Sequence, residues 1–534
     1  MDPEAPNVLH VRSRSAAWSR QNEKGAFPGV ATPLSWSIWG ETGERAVRLA
    51  AFDLGLLDAH ELAPPAEADE WMWSVFYGRP SANVESWRRL YERASGEAGG
   101  GSAAESLTFG TGRAREARAQ DAGRAALVAA KTAAAAAEAP GRMRARRAEA
   151  EALWRETTSD PRLADAGWCR ARFAELHAAF ARTDHVHILV SLLCANAIAD
   201  ATALAAEAGL AAELNQLLGG YPDMEEFCTA RALWEVAQGR RSFEAFLAEH
   251  GFRGSQEGEA SSRSWREAPE PARALARSLA AEGPEDDPLR REERAARERE
   301  ALEARLLEAL PPDARARAGE VLARAATFVP LREAGKAALI VLLDALRACA
   351  RGIGRELAAN GALASAEDVF QLTRAELLEL PPDARELVAA RRLLRAHYES
   401  FELPDAWQGM PEKLALAVAV EAAAAGCVLR GIGVGAGTHE GIARVVLDPA
   451  TWDGDFDAGD VLVAPATDPS WAPLFLVAGA VVIDAGTAFS HAALVAREMG
   501  IPGVVSTQDG SRRLRSGQRL RVDGGAGTVT VLPA

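Results

Sequence analysis

The stretch Asp484-Ala-Gly-Thr-Ala-Phe-Ser-His-Ala-Ala-Leu-Val-Ala-Arg-Glu-Met-Gly-Ile-Pro502 decides the reading of the chain. It follows Ala480-Val481-Val482-Ile483, an apolar and mostly β-branched run suited to a strand buried on both faces. Gly486 and Thr487 supply a tight turn, and Ser490 is a candidate N-cap for the helix that follows. Gly500 and Pro502 stop that helix. His491 therefore falls at a helix mouth, where backbone N–H groups point outward and the helix dipole favours an anion. An imidazole there is a nucleophile at neutral pH, and a phosphoryl group placed on it would meet N–H donors. The bland alternative is a histidine that only caps a helix.

The flanking sequence reads as short strands. Gly431 to Gly437, then Glu440 to Val446, form a glycine-punctuated β segment; Asp460 to Ala464, Val504-Val505 and Leu520 to Asp523 follow. Gly524-Gly525 before Thr528 to Val531 reads as a terminal hairpin. The glycines at 431 to 437 lack the strand–turn–helix context of a dinucleotide site.

Residues up to about 425 read as mostly helical. Ala337 to Leu346 looks like a buried helix, and Phe243 to Leu247, Leu302 to Leu310 and Leu414 to Ala425 carry helical spacing. Ala133 to Ala137 and the Arg/Glu-rich run Arg290 to Arg305 read as surface helix. Ser95-Gly-Glu-Ala-Gly-Gly-Gly-Ser102 reads as a loop, with an insert extending over 95–115. The expected architecture is multidomain. A large, mostly α-helical substrate-binding domain occupies 1–425, and a C-terminal α/β domain occupies 426–534.

The chain has 534 residues, enough for several cores. A formal net charge of −15 argues against nucleic acid as a partner, since a phosphate backbone demands a basic surface. No secretory h-region and no apolar run of membrane-spanning length is read, so no membrane partner is expected. Five scattered cysteines without a CxxC pair suit reduced thiols and a cytoplasmic location.

Among the polar residues of the first domain, Arg332 and Lys336 would lie one helical turn apart. Such a cation pair can clamp a phosphoryl group in transfer, and the adjacent Glu333 could take a hydroxyl proton. An amphipathic helix with solvated charges would look the same. Asp184-His185-Val-His187 places two imidazoles two residues apart. A strand pair or metal ligands would fit, but a capping cluster at a helix N-terminus before Ile188 to Leu193 fits better; no metal site is assigned. Trp36, Trp39, Trp71 and Trp73 would line an aromatic pocket or, more ordinarily, a core.

The His491 segment resembles the phosphohistidine domain of the phosphoenolpyruvate-utilising enzymes. The family pattern, roughly G-G-x-x-S/T-H-x-A-x-V-A-R-E-x-G-I/L-P, is met by Gly486, Ser490, His491, Ala493, Val495, Ala496, Arg497, Glu498, Gly500, Ile501 and Pro502, with Thr487 where a second Gly is usual. Thr467-Asp468-Pro469 and Trp471 resemble the family's T-x-P-x-W/M segment. Earlier motifs resemble the rifampicin phosphotransferase branch. These are Trp18 to Trp36, Phe76 to Arg79 with Asn83, Phe246 to Gly254 followed by Glu257, Glu259, Trp265 and Pro269, Leu331 to Lys336, and Asp368-Val-Phe370. Phe252 stands where that branch usually has His, which puts a polar role there in doubt and implies a more apolar pocket.

The resemblance implies a swivelling phosphohistidine domain with His491 as carrier and Arg332, Glu333 and Lys336 beside the acceptor. It also implies substrate contacts from Trp36, Arg253 and Glu257, and His185 and His187, placed before Ile188 to Leu193, would face the same substrate cavity. Family members open with an ATP-grasp domain that charges the histidine, and no such domain or Walker A loop is read in this sequence. The expectation is therefore that this chain itself binds no cofactor. A separate ATP-grasp kinase partner would carry ATP and Mg²⁺, and the phosphoryl group would pass to a hydroxyl of a small organic substrate. Charging by a small donor, a phosphorylation-driven dehydratase and a non-catalytic small-molecule binder are the alternatives.

Overall fold

The computed structural model describes every residue except 1, 96–121, 223, 281–286, 417–420, 436, 450–451, 453–455, 488–489 and 534. Ser95 ends a helix that begins at Val84, and the rest of the loop expected over 95–115 lies outside the described residues.

Four long helices frame the first part of the chain: Pro33–Asp53 (α1), Ala122–Ser159 (α2), Ala166–Glu207 (α3) and Arg315–Ala359 (α4). Thr32 caps α1 through its side chain and Pro33 opens it. Asp165 caps α3 by accepting from the backbone of Gly167 and Trp168. α3 lies along α4, with α1 and α2 packed beside them. Their shared core includes Leu34, Ile38, Trp154, Phe173, Phe180, Ala338 to Leu343, Ala345 and Leu346. By length and hydropathy α3 is apolar enough to cross a membrane, a property the sequence reading missed, yet 61% of its apolar window is buried, Phe173 to Phe180 in this core and Val186 to Ala205 in a second cluster. Pro330 interrupts the backbone ladder of α4 immediately before Arg332 and Lys336.

A small antiparallel sheet, not foreseen from the sequence, ties the two ends of this part together. Strands Ala17–Ser19 (β1), Trp73–Phe76 (β2), Arg79–Asn83 (β3) and Ala406–Gln408 (β4) run in the order β2-β3-β1-β4. The helix expected over 414–425 is not formed among the described residues of that span. Leu414–Ala415 is a short strand and the described residues 421–425 are non-helical. Alanine propensity alone does not hold a helix without an apolar face to bury, and Leu414 and Leu416 stay exposed.

The C-terminal α/β part is one eight-stranded sheet. Its strands are Val428–Arg430 (β5), Ile432–Val434 (β6), Thr438–Val445 (β7), Val461–Ala464 (β8), Ala480–Ile483 (β9), Gly503–Val505 (β10), Arg519–Asp523 (β11) and Thr528–Val531 (β12). The order is β5-β12-β11-β7-β8-β9-β10-β6, with β7 to β10 parallel. β5 and β6 are joined by Gly431 alone yet stand at opposite ends of that order, so the sheet curls until its edges nearly meet. A side chain at Gly433 would fall 2.1 Å from the Gly524 carbonyl oxygen, which is why this seam is built of glycine. One layer of helices, including His491–Met499 (α5), packs between the sheet and the helical part, where residues of both share a core.

Candidate active site

β9 is buried on both faces and ends at Ile483, and the carboxylate of the next residue, Asp484, anchors the turn that follows. It accepts from the Ser511 amide at 2.9 Å and the Thr507 hydroxyl at 3.0 Å. Gly486 has φ +133°, and a Cβ there would meet the Ser490 Oγ at 2.6 Å. Ser490 is the N-cap residue of α5 by position, but its hydroxyl donates to the Thr487 carbonyl at 2.9 Å instead of capping the helix. The expected side-chain cap is thus absent, and the first amides of α5 are left without it. Gly500 closes the helix in the left-handed conformation.

His491 opens α5 and is buried. Its Nδ1 lies 3.0 Å from the Thr467 hydroxyl oxygen, while its Nε2 is buried with no hydrogen-bond partner among the described residues. When Nδ1–H donates to Thr467, the Nε2 lone pair is left for attack. Burial, then the nearby charges of Lys336 and Arg253, hold the imidazole well below its ordinary value of 6.5. The ring is therefore neutral and nucleophilic across the physiological range.

His491 borders a cavity of about 360 Å³ enclosed by both parts of the chain. α4 contributes Arg332, Lys336, Leu339 and Ile340; α3 contributes His187, Ile188 and Leu192; the C-terminal part contributes Thr467, Asp468 and Gly486. Lys336 is half-buried and, among the described residues, makes no ion pair. Arg332 pairs with Glu333 at 2.6 Å. Glu333 is buried and is not among the cavity-lining residues, so the structure sets it behind Arg332 instead of facing a substrate.

Arg253 and Glu257 form a buried pair at 3.2 Å; Glu257 lines the cavity and Arg253 stands behind it. Across from Glu257, Asp468 accepts from the Gln256 amide at 2.8 Å and from Ser470. Burial and the Glu257 charge push the Asp468 carboxyl up to about 7. Other bonds also join the two parts. Glu498 accepts from the Gly220 amide at 2.8 Å, Arg497 donates to Asn215 at 2.7 Å, and Thr487 donates to Asn22 at 3.0 Å.

Several expected positions fall elsewhere. Trp36 packs with the cluster around Trp18, Val30 and Tyr398; Trp39, three residues further along α1, is the one that borders the cavity, with Trp73, Trp87 and Tyr91. His185 and His187 are not at a helix N-terminus but deep within α3. Two positions apart on a helix they face different ways. His185 bonds Asp53 at 2.9 Å away from the cavity, while His187 is pressed against Gly335 at the cavity wall, its imidazole driven down to about 3 by burial and the Arg332 charge. Phe252 sits in the core, edge-on to Trp154 and beneath the Arg253 guanidinium, so it does not make the cavity more apolar. Among the described residues no group of three or more His, Cys, Asp or Glu side chains is placed to hold a metal ion. Sequence reasoning missed Trp87, Tyr91 and Glu23 as cavity residues. Glu23 lies within the Trp18 to Trp36 stretch, which is the only signal, and the structure places it at the start of the short helix Glu23–Ala26.

Residues 456–527 match the mobile domain of PEP-utilising enzymes, and residues 238–333 match the fourth domain of rifampicin phosphotransferase. Against the rifampicin phosphotransferase of Streptomyces sviceus the chain is 35% identical over 227 residues, 41% of this chain and 26% of that protein. Against the rifampicin phosphotransferase of a Streptomyces species it is 35% identical over 308 residues, 55% of this chain and 35% of that protein. The prodigiosin synthesizing transferase PigC of Serratia marcescens is 32% identical over 315 residues, 57% of this chain and 34% of that protein. The matched region thus spans about a third or less of each relative.

Proposed function

From the premise that this chain belongs to the phosphoenolpyruvate-utilising enzymes, close to rifampicin phosphotransferase, we propose that it is a phosphotransferase in which His491 carries the phosphoryl group. The observation that carries this reading is the unpartnered Nε2 of a neutral, buried histidine at a helix N-terminus, in the wall of a cavity that also holds Lys336 and Arg332. Thr467 holds the ring by Nδ1, and the first amides of α5 receive the phosphoryl oxygens. Lys336 and Arg332 stabilise the charge that spreads over the group as it leaves for a hydroxyl of a small organic molecule in the cavity. Glu333 fixes Arg332 in place.

The donor in this proposal is ATP with Mg²⁺ on an ATP-grasp partner. The C-terminal part would swivel between that partner and the docked position described above. Intact-protein mass after incubation with ATP and Mg²⁺, with and without an ATP-grasp partner, tests the proposal beside His491→Ala. An acid-labile phosphoryl gain that needs both His491 and the partner is the expected result. No gain in folded protein under any donor would sink the carrier and leave a small-molecule binding protein as the reading of the apolar cavity.

A further inference from the structure

Glu23 has no role in the mechanism above, yet the fold delivers it to the cavity beside the His491 loop. Asn22 before it meets that loop, and Gly25 after it lies by the segment that holds the His491 ring. Asn22 accepts from Thr487 at 3.0 Å, and Gly25 lies so close to Thr467 that a Cβ would come within 3.8 Å of its carbonyl oxygen. Thr467 in turn bonds His491 Nδ1. Glu23 itself lines the cavity. Its Oε1 accepts from the indole N–H of Trp73 at 3.2 Å, and its Oε2 is buried with no hydrogen-bond partner from any other described residue.

From this carboxylate an aromatic wall runs along the cavity. Trp73 meets Trp87 edge-on at 5.1 Å between centroids, and Trp87 lies 5.9 Å from Tyr91. All of these rings border the same space. A carboxylate oxygen without a donor, at the end of an aromatic wall, fits a flat ring that brings one O–H to it.

We propose that Glu23 binds the hydroxyl of a flat aromatic acceptor and takes its proton as the phosphoryl group arrives. The proposal deepens the reading given above and depends on it for the phosphoryl step. In that step the P–Nε2 bond of His491 breaks with its electron pair returning to the ring. The P–O bond to the acceptor forms, and the hydroxyl proton passes to Glu23. Burial pushes the Glu23 carboxyl up to about 7 against the opposing pull of its own backbone N–H, Trp73 and the buried Arg20, which suits a base working near neutral pH. Glu333, locked to Arg332 outside the cavity lining, does not compete for this role.

The test has a binding arm that needs no turnover. Calorimetry compares 1-naphthol with 1-methylnaphthalene, the same flat ring without the hydroxyl, on the full chain, on Glu23→Gln and on Trp87→Leu. The wild type is expected to prefer 1-naphthol by about tenfold. Glu23→Gln is expected to lose that preference while still binding both rings. Trp87→Leu should weaken both ligands and keep the preference. A wild type that binds neither ring, shows no preference, or keeps its preference in Glu23→Gln overturns the proposal. In the transfer arm, phosphorylated His491 is chased with 1-naphthol. Glu23→Gln should load His491 normally and transfer about 10²-fold more slowly; transfer at the wild-type rate overturns the proton role. Failure of His491 to load would instead count against the carrier reading, leaving the binding arm to judge Glu23.

Discussion

As pH rises from 4 to 8, Asp468→Asn should gain stability relative to the wild type. Asp468 is buried between the two parts of the chain, and its carboxyl is pushed from 3.8 up to about 7 by burial and by Glu257. The sign follows from which state holds the proton. Between these two values the folded protein keeps a proton that the unfolded chain has released, so stability is full below pH 3.8 and falls as pH rises toward 7. The gap of about 3 pH units, at 1.36 kcal/mol each, sets a ceiling of about 4 kcal/mol. The bonds from the Gln256 amide and Ser470 favour the ionised form, a pull already contained in the value of about 7. Asparagine removes the buried charge and keeps one oxygen to accept from Ser470, but its NH2 cannot accept from the Gln256 amide; that loss is the same at every pH, so it leaves the pH dependence of the difference intact. Spread over a chain of 534 residues unfolding together, the ceiling corresponds to about 3 to 4 °C in Tm. The assay is thermal unfolding of both proteins from pH 4 to pH 8, read as the difference at each pH, so that Glu23 and Asp184, which also titrate high, cancel. A difference that stays flat over this range would refute the reasoning.

Thr467→Val keeps the shape of the side chain but removes the bond to His491 Nδ1, and should slow phosphoryl loading of His491 about tenfold or more with an unchanged circular dichroism spectrum. Gly220→Ala should destabilise by about 2 to 5 kcal/mol in urea unfolding, because Gly220 has φ +68° and a Cβ there would fall 2.5 Å from the Ala295 backbone. Lys336→Gln should raise the His491 value in an NMR titration, since its charge is one of the causes of depression, and should slow phosphoryl transfer about 10²-fold in a single-turnover chase.

The His491 turn and helix were legible because nearly every residue from Gly486 to Pro502 has a local job: turn, helix opening, packed face, left-handed stop. Nothing comparable marked the small sheet at the other end. Its strands are three to five residues long, and Ala17 finds its partner Gln408 only through the tertiary fold. The sequence offers the aromatic residues near the start of α1 as pocket candidates, but helix phase chooses between them, and phase is set by what packs behind. Trp36 lies against the cluster of Trp18 and Tyr398, which turns Trp39 to the cavity. The same reason separates His185 from His187, and Arg332 with Lys336 from Glu333. Spacing along a helix says which residues share a face, whereas only the packing says which face meets the cavity.

The charges around His491 also bear on how a loaded carrier would sit. Below its ordinary value of 6.5 the unfolded chain takes up a proton on this histidine that the folded one refuses, so His491 costs stability as pH falls through 6.5. Lys336 and Arg253 contribute to that refusal because they repel an imidazolium. A phosphoryl group on Nε2 reverses the sign of the interaction and is attracted by the same cations. Arg253 is already matched by Glu257 and Arg332 by Glu333, so the attraction would fall chiefly on Lys336, which has no ion-pair partner among the described residues. On the carrier reading, loading therefore strengthens docking of the C-terminal part onto the acceptor cavity. Departure of the phosphoryl group from His491 withdraws that gain. On that reading the cations that, after burial, help to keep the unloaded ring neutral are the ones that hold the loaded ring at the acceptor cavity.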